Sequence, residues 1–535
     1  MKHKLLPAIA LALLLCPLPD AKSASPAPTT PPAPAASPAP RAITVNVAQV
    51  RGPMDRTPEM CVGSGNAWLG LRPDWQRQLA VAHALCGFRY LRFHGILSDE
   101  MDVYHEDAQG VPYYHWDKVD AVYGAMLKAG VKPFVEISFM PTALASNAAR
   151  TGFRGQVNVS PPKDYAKWTA LITAFTRHLE ARFGRAEVKT WYFEVWNEPN
   201  HPGFYTHKLE DYETLYAATA PAIKSVCGDY RVGGPATAGP AWITELIDYC
   251  GANKLPLDFI STHDYGNAFG QDPAGHKIKI LNPSPGAVIG IPVDTRAKIR
   301  HSAMPNLELH ITEWSASYSD RDPIHDSYLE APYILEKLKR IGGAANSMSY
   351  WTFSDVFDEN GFAPSPFHGG FGLISRDGLK KPAFYAYQYL HEMGDTELAN
   401  ADPSSWVCRQ GKTITALVWD FHQPVQDSSD TVFFARDLPT RALAAVPFRV
   451  AGLAPGRYLL ALHRTGYRHN DVYDSYRDIG MPADLTPMQV TGLAAINNDA
   501  PEQAGPVTVG RDGVFEASLP MRENDVVFLS LTPTR

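Results

Sequence analysis

The chain has 535 residues, long for one domain and sufficient for two folded units. Hydrophobic residues at 45% and charged residues at 20% describe an ordinary globular balance with ample core. A net charge of -7 argues against a nucleic-acid or anionic-membrane partner, and the 11% aromatic content suits aromatic cores as well as stacking on sugar rings.

Lys2, His3 and Lys4 precede an apolar run from Leu5 to Leu18, and Ala21-Lys22-Ser23 offers small residues flanking a cleavage site. Residues 1–24 therefore read as a secretory signal peptide, too short for a spanning helix with stop-transfer flanks, and place the mature protein in the periplasm or outside the cell. Leu15 stands before Cys16, where lipid attachment would want a small residue. Residues 25–41 are almost entirely Pro, Ala, Ser and Thr, which cannot bury a core and predict an extended linker. Beyond the signal remain Cys61, Cys86, Cys227, Cys250 and Cys408. Cys61 with Cys86, and Cys227 with Cys250, are candidate disulfides in an oxidising compartment, with buried free thiols as the alternative.

Residues 42–59 hold an isolated alternating strand, Ile43–Val50. From 60 to 395 short apolar runs alternate with helical stretches. Eight strands are predicted: Met60–Trp68, Tyr90–Leu97, Pro133–Phe139, Thr190–Trp196, Arg231–Pro235, Asp258–Tyr265, Leu307–Trp314 and Ser347–Phe353. Helices are expected over Trp116–Ala129, Tyr165–Phe183 and Tyr212–Val226. That alternation is the pattern of a (β/α)8 TIM barrel, whose chemistry lies at the C-terminal ends of its strands. From 396 to 535 the helical period disappears. Val407, Thr413–Phe421, Thr431–Phe434, Phe448–Ala451, Arg457–Arg464 and Val526–Leu531 alternate between turn residues, which predicts a C-terminal β-sandwich domain that the strand at Ile43–Val50 joins.

Two strand ends carry carboxylates. Trp191-Tyr192-Phe193-Glu194-Val195-Trp196 runs into Asn197-Glu198-Pro199, where the proline cannot extend a ladder. Leu307-Glu308-Leu309-His310-Ile311-Thr312 ends in Glu313-Trp314. Glycoside hydrolysis needs one acid to protonate the departing oxygen and one carboxylate to meet the charge at the anomeric carbon. A strand-four Glu facing a strand-seven Glu across a filled barrel is expected at about 5–5.5 Å, the retaining separation. Asn197 adds an amide suited to a sugar hydroxyl.

The motifs Trp196-Asn197-Glu198-Pro199, His310-Ile311-Thr312-Glu313-Trp314 and Pro366-Phe367-His368-Gly369-Gly370-Phe371-Gly372-Leu373 resemble family 39 glycoside hydrolases, which include β-xylosidases and α-L-iduronidase. The likeness extends over the barrel and the sandwich. It implies Glu198 as acid/base and Glu313 as nucleophile of a double displacement. It also implies that His94 and His263 line the sugar pocket, that Tyr265 hydrogen-bonds the nucleophile, and that Trp351 forms an apolar platform under the ring. Glu359 is implied as a hydroxyl ligand. Asp358, where the xylosidases carry Glu, has a shorter reach. His368 either borders the pocket or belongs to a turn that needs its glycines.

The resemblance also bears on the sugar. The iduronidase places basic residues after the strand-six histidine, whereas this chain reads Asp264-Tyr265-Gly266, and an uncompensated Asp264 would repel a uronate. A neutral pentose follows, with release of xylose from the non-reducing ends of β-xylo-oligosaccharides. β-Glucosidase and arabinose-disaccharide-releasing activities are the alternatives within the family. A non-catalytic carbohydrate-binding protein is expected to lack one of the two glutamates or Asn197, and all three are present. His263 and His310 lie at strand ends without a His-x-x-x-His or clustered Asp set, and no phosphate loop occurs, so neither a catalytic metal nor a cofactor is expected. A homo-oligomer is compatible with the sequence.

Overall fold

Eight parallel strands close into a barrel in the computed structural model, which describes residues 41–151 and 156–534. The segment read as a signal peptide, and all of the expected linker but Arg41, lie outside the described residues. The strands are β1 (Cys61–Asn66), β2 (Tyr90–His94), β3 (Lys132–Ile137), β4 (Tyr192–Val195), β5 (Arg231–Thr237), β6 (Phe259–Tyr265), β7 (Glu308–Ser315) and β8 (Ser347–Tyr350). Each pairs with its neighbours in chain order, and β8 closes on β1 through Tyr350 and Val62. All eight coincide with the expected runs. The helices Asp117–Lys128, Tyr165–Phe183 and Leu209–Val226 fall where the periodicity put them. Tyr165–Phe183 begins under an Asp164 side chain that accepts from the amides of Ala166 and Lys167.

The bottom of the barrel is sealed by aromatic packing. Phe134 and Tyr192 stack at 4.9 Å, and His310 meets Phe134, Tyr192 and Phe259 edge-on at 4.9–5.4 Å. His310 is therefore not at a strand end, as the sequence suggested. It is the third residue of β7, held at the floor by Ser347 and Glu308, away from the chemistry.

The N-terminal segment does join the C-terminal sheets, but as two strands rather than one. Ile43–Asn46 pairs parallel with Val446–Ala451 in a three-stranded sheet, and Val50–Pro53 pairs with Thr396–Leu398 at the edge of a seven-stranded sheet. A turn at Val47–Gln49 hands the chain from one layer to the other. The layers enclose their own core, with Val45, Phe448, Leu460 and Leu529 among its buried members. Thr431–Phe434 is not a strand: Asp430–Phe433 forms a helical turn. Two further helices, Val472–Asp478 and Pro487–Ile496, interrupt the β region; they pack on Phe367 and Leu379, so the C-terminal module buttresses the His-Gly-Gly loop from outside. The barrel helix Pro382–Glu392 docks on the larger sheet, where Tyr389 stacks on Phe528 at 5.2 Å.

None of the five described cysteines is bonded to another. Neither candidate disulfide forms, and the alternative of free thiols holds for all five. Cys61 lies in β1, and burial pushes its thiol up to about 12, which makes it an inert core group.

Candidate active site

Side chains at the C-terminal ends of the strands converge on a cavity of about 530 Å³. Glu198 reaches it because β4 stops at Val195 and the next residues leave the extended conformation: Trp196 has φ 72° and Glu198 φ 42°. The Glu198 amide donates to Ala236 O at 2.8 Å, and the Asn200 side chain exchanges hydrogen bonds with the backbone of Ala238. The loop carrying the carboxylate is thus pinned to the end of β5 and the residue that follows it.

Glu313, buried near the end of β7, is held at both oxygens. Arg92 Nη1 donates to Oε1 at 2.8 Å and Tyr265 OH donates to Oε2 at 2.7 Å. Glu198 meets His263 Nδ1 at 2.8 Å, and that same nitrogen lies 3.5 Å from Glu313 Oε2. Facing atoms of Glu198, His263 and Glu313 all lie within 4.8 Å of one another, a spacing that suits direct attack on a sugar and leaves little room for an intervening water of inversion.

Beneath the pair sits a buried ionic layer. The Arg92 guanidinium also contacts Glu194 Oε2 at 2.5 Å, Glu136 Oε2 at 2.7 Å and Asn197 Oδ1 at 2.9 Å. Thr312 and Ser138 donate to Glu194 and Glu136. Sequence reasoning missed Arg92, Glu136 and Glu194. The signal was available in the two-residue period of the strands: Arg92 shares a face with His94, and Glu194 shares one with Tyr192.

The environments set opposing proton affinities. Desolvation pushes Glu198 up to about 7. Burial alone would neutralise His94, but Glu136, bonded to its Nδ1 at 2.7 Å, overrides it and lifts the imidazole to about 9. At His263 burial outweighs the opposing charge of Glu313 and drives the imidazole down to about 4, so it stays neutral. Glu359, at 3.6 Å from His94 Nε2, is raised well above the carboxylate range, first by burial.

Eight of the residues singled out for the site border this cavity: His94, Asn197, Glu198, His263, Tyr265, Glu313, Trp351 and Glu359. The Trp351 ring lies 4.7 Å from that of His94. Gly63 in β1 makes room for it, since a Cβ there would sit 2.3 Å from Trp351 Cε3. Asp358 is turned away and accepts from Asn66 Nδ2 and Trp68 Nε1, fastening the loop to the end of β1. His368 does not border the cavity. Its neighbour Gly369 has φ +79° and packs against the Asp322 backbone, so the glycine requirement of the turn is the operative one. Asp264 does border the cavity, but burial pushes it up to about 7 with Lys337 opposing, so it is not the free, uncompensated anion the sequence suggested. His201, Phe204, Tyr318 and Asp320 also line the cavity and were not anticipated.

The family model for glycosyl hydrolases family 39 matches residues 41–513. The chain belongs to that family. This family 39 hydrolase is 33% identical over 490 residues to a β-xylosidase of Geobacillus stearothermophilus, covering 89% of this chain and 93% of the relative. Among solved structures, a GH39 enzyme from Xanthomonas axonopodis pv. citri superposes with a TM-score of 0.90 at 44% identity, over 94% of this chain and 100% of that one. A monomeric β-xylosidase from Caulobacter crescentus CB15 superposes with a TM-score of 0.89 at 41% identity, over 92% and 100%.

Proposed function

We propose that this hydrolase is a retaining exo-β-xylosidase acting on the non-reducing ends of β-xylo-oligosaccharides. The observation that carries the reading is the pair of close carboxylates in different surroundings: Glu198 desolvated beside a neutral imidazole, Glu313 held by a guanidinium and a phenol. In the first step Glu198 protonates the glycosidic oxygen while Glu313 Oε attacks the anomeric carbon and the aglycone leaves. In the second, Glu198 takes a proton from water, which displaces Glu313 and restores the anomeric configuration. Neutral His263 suits both halves, because its Nδ1 accepts from protonated Glu198 in one tautomer and donates to the anion in the other. Trp351 is the platform under the ring, and His94, Asn197 and Glu359 hold hydroxyls.

No Lys or Arg borders the cavity among the described residues, which favours a neutral sugar over a uronate. Both relatives named β-xylosidase support the pentose. Residues 1–24 serve as an export signal, which N-terminal sequencing of the mature protein tests: a start near Ser25 is expected, and an intact Met1 refutes it.

Hydrolysis of an aryl β-xyloside by wild type and Glu313→Ala, followed by proton NMR, tests the mechanism. β-Xylose is expected first, with the variant inactive. α-Xylose as first product overturns double displacement, and turnover of glucosides or arabinosides alone overturns the sugar.

A further inference from the structure

A second cluster of metal-ligating groups lies outside the cavity, on the loop that follows β2. Tyr104–Glu106 and Pro112–Tyr114 form a two-stranded hairpin in which Tyr104 opposes Tyr114 and His105 opposes Tyr113. The His115 amide donates to Val103 O at 3.0 Å and extends the ladder. Side chains alternate along each strand, so His105, Tyr113 and His115 share one face of the hairpin. Asp102, at φ 60°, ends the short helical turn before the hairpin and directs its carboxylate onto that face.

We propose that Asp102, His105 and His115 form a binding site for a divalent transition-metal ion of the zinc or nickel class. His105 Nε2 lies 2.9 Å from Asp102 Oδ1, and His115 Nδ1 lies 3.3 Å from Asp102 Oδ2. One donor atom from each residue falls within 4.8 Å of the others, and the two imidazole rings are 4.6 Å apart. Donors bonded at about 2.0–2.2 Å to one tetrahedral ion stand roughly 3.3–3.6 Å apart, so small rotations of the rings admit the ion. Two imidazoles and a carboxylate suit zinc, cobalt or nickel and disfavour magnesium or calcium, which want oxygen ligands throughout. The Asp102 and His115 side chains are 49% and 50% exposed, which gives an ion access and leaves its remaining positions to water. Tyr113 stacks on His105 at 5.1 Å and fixes the ring plane.

None of these residues borders the catalytic cavity, so the ion is not a participant in hydrolysis. It would tie the hairpin to the turn Asp99–Met101, where Asp99 caps the Thr142 amide of the next loop. The spacing Asp-x2-His-x9-His has no fixed-interval signature, because the hairpin and not one helix brings the ligands together. Glu198, His263 and Glu313 gather donor atoms equally closely, within 4.8 Å, inside the cavity, so the experiment has to separate the two.

The test is calorimetric titration of the chelator-stripped, full mature enzyme with zinc chloride, alongside Asp102→Asn, His105→Gln and His115→Gln. One saturable zinc per chain is expected in wild type. Each variant should weaken binding by at least the roughly 10–100-fold that loss of even an outer-shell partner costs. Zinc should raise the melting temperature of wild type only, by linkage. The stripped variants should melt with wild type and hydrolyse an aryl xyloside at the same rate, which shows that they fold. The proposal is overturned by the lack of a saturable site, or by zinc binding that survives the three substitutions and disappears in Glu198→Gln, which would put the ion in the catalytic cavity.

Discussion

The acid/base role of Glu198 depends on its proton, and the structure sets the size of the effect. Desolvation lifts this carboxyl from an ordinary 4.5 to about 7. At pH 7 about half the molecules then hold the proton, against about 0.3% for an unshifted glutamate. The rise of about 2.5 units corresponds to a penalty on the order of 3 kcal/mol against the folded anion. The folded pKa is raised, so the folded state binds this proton more tightly than the unfolded chain does. Glu198 costs nothing in stability below about pH 4.5, and the penalty grows as pH rises and is complete above about 7. Two outcomes follow. In wild type, kcat/KM for an aryl xyloside with a poor leaving group should fall on a basic limb near pH 7. In Glu198→Gln, a dinitrophenyl xyloside, which needs no acid to depart, should show slow turnover without that limb. The same variant should melt above wild type at pH 8 and close to it at pH 4. A basic limb that persists unchanged in Glu198→Gln, or a variant no more stable than wild type at pH 8, would refute the reasoning.

Three more perturbations probe the support of the site. Arg92→Met leaves Glu136, Glu194 and Glu313 without their shared cation and should cost about 3–5 kcal/mol in chemical unfolding; a loss under about 1 kcal/mol would deny the ionic layer its structural role. Tyr265→Phe removes a hydrogen bond to a charged group worth about 1.5–3 kcal/mol, so steady-state kinetics should show kcat/KM lower by roughly 10–150-fold with the fold intact, and unchanged kinetics would count against it. Gly63→Ala drives a methyl against Trp351, so KM for the xyloside should rise and stability fall by about 1–3 kcal/mol; a variant with wild-type KM would separate the platform from substrate binding.

The sequence by itself determined the barrel, because eight apolar runs punctuated by turns and amphipathic helices admit few other arrangements. It also determined where the chemistry lies, since Asn197-Glu198-Pro199 and Glu313-Trp314 stand where runs of apolar residues end. Those are local facts of period and punctuation, and they survive folding unchanged. The distinction between Glu359, which borders the cavity, and Asp358, which fastens a loop to Asn66 and Trp68, is not local: adjacent residues point opposite ways once the loop closes. The same holds for His310, a strand residue that only the stacking of β4, β6 and β7 places at the floor. The helices at Val472–Asp478 and Pro487–Ile496 escaped notice because their apolar face is short and is completed by Phe367 and Leu379, more than ninety residues away in sequence. Arg92, Glu136 and Glu194 come from three adjacent strands, and their partnership exists only once β2, β3 and β4 pair in register, with Glu136 opposite Glu194. Proton affinities belong to that second category as well: whether a glutamate is an acid or an anion is decided by the water it loses and the charges it meets, and both are properties of the packed structure.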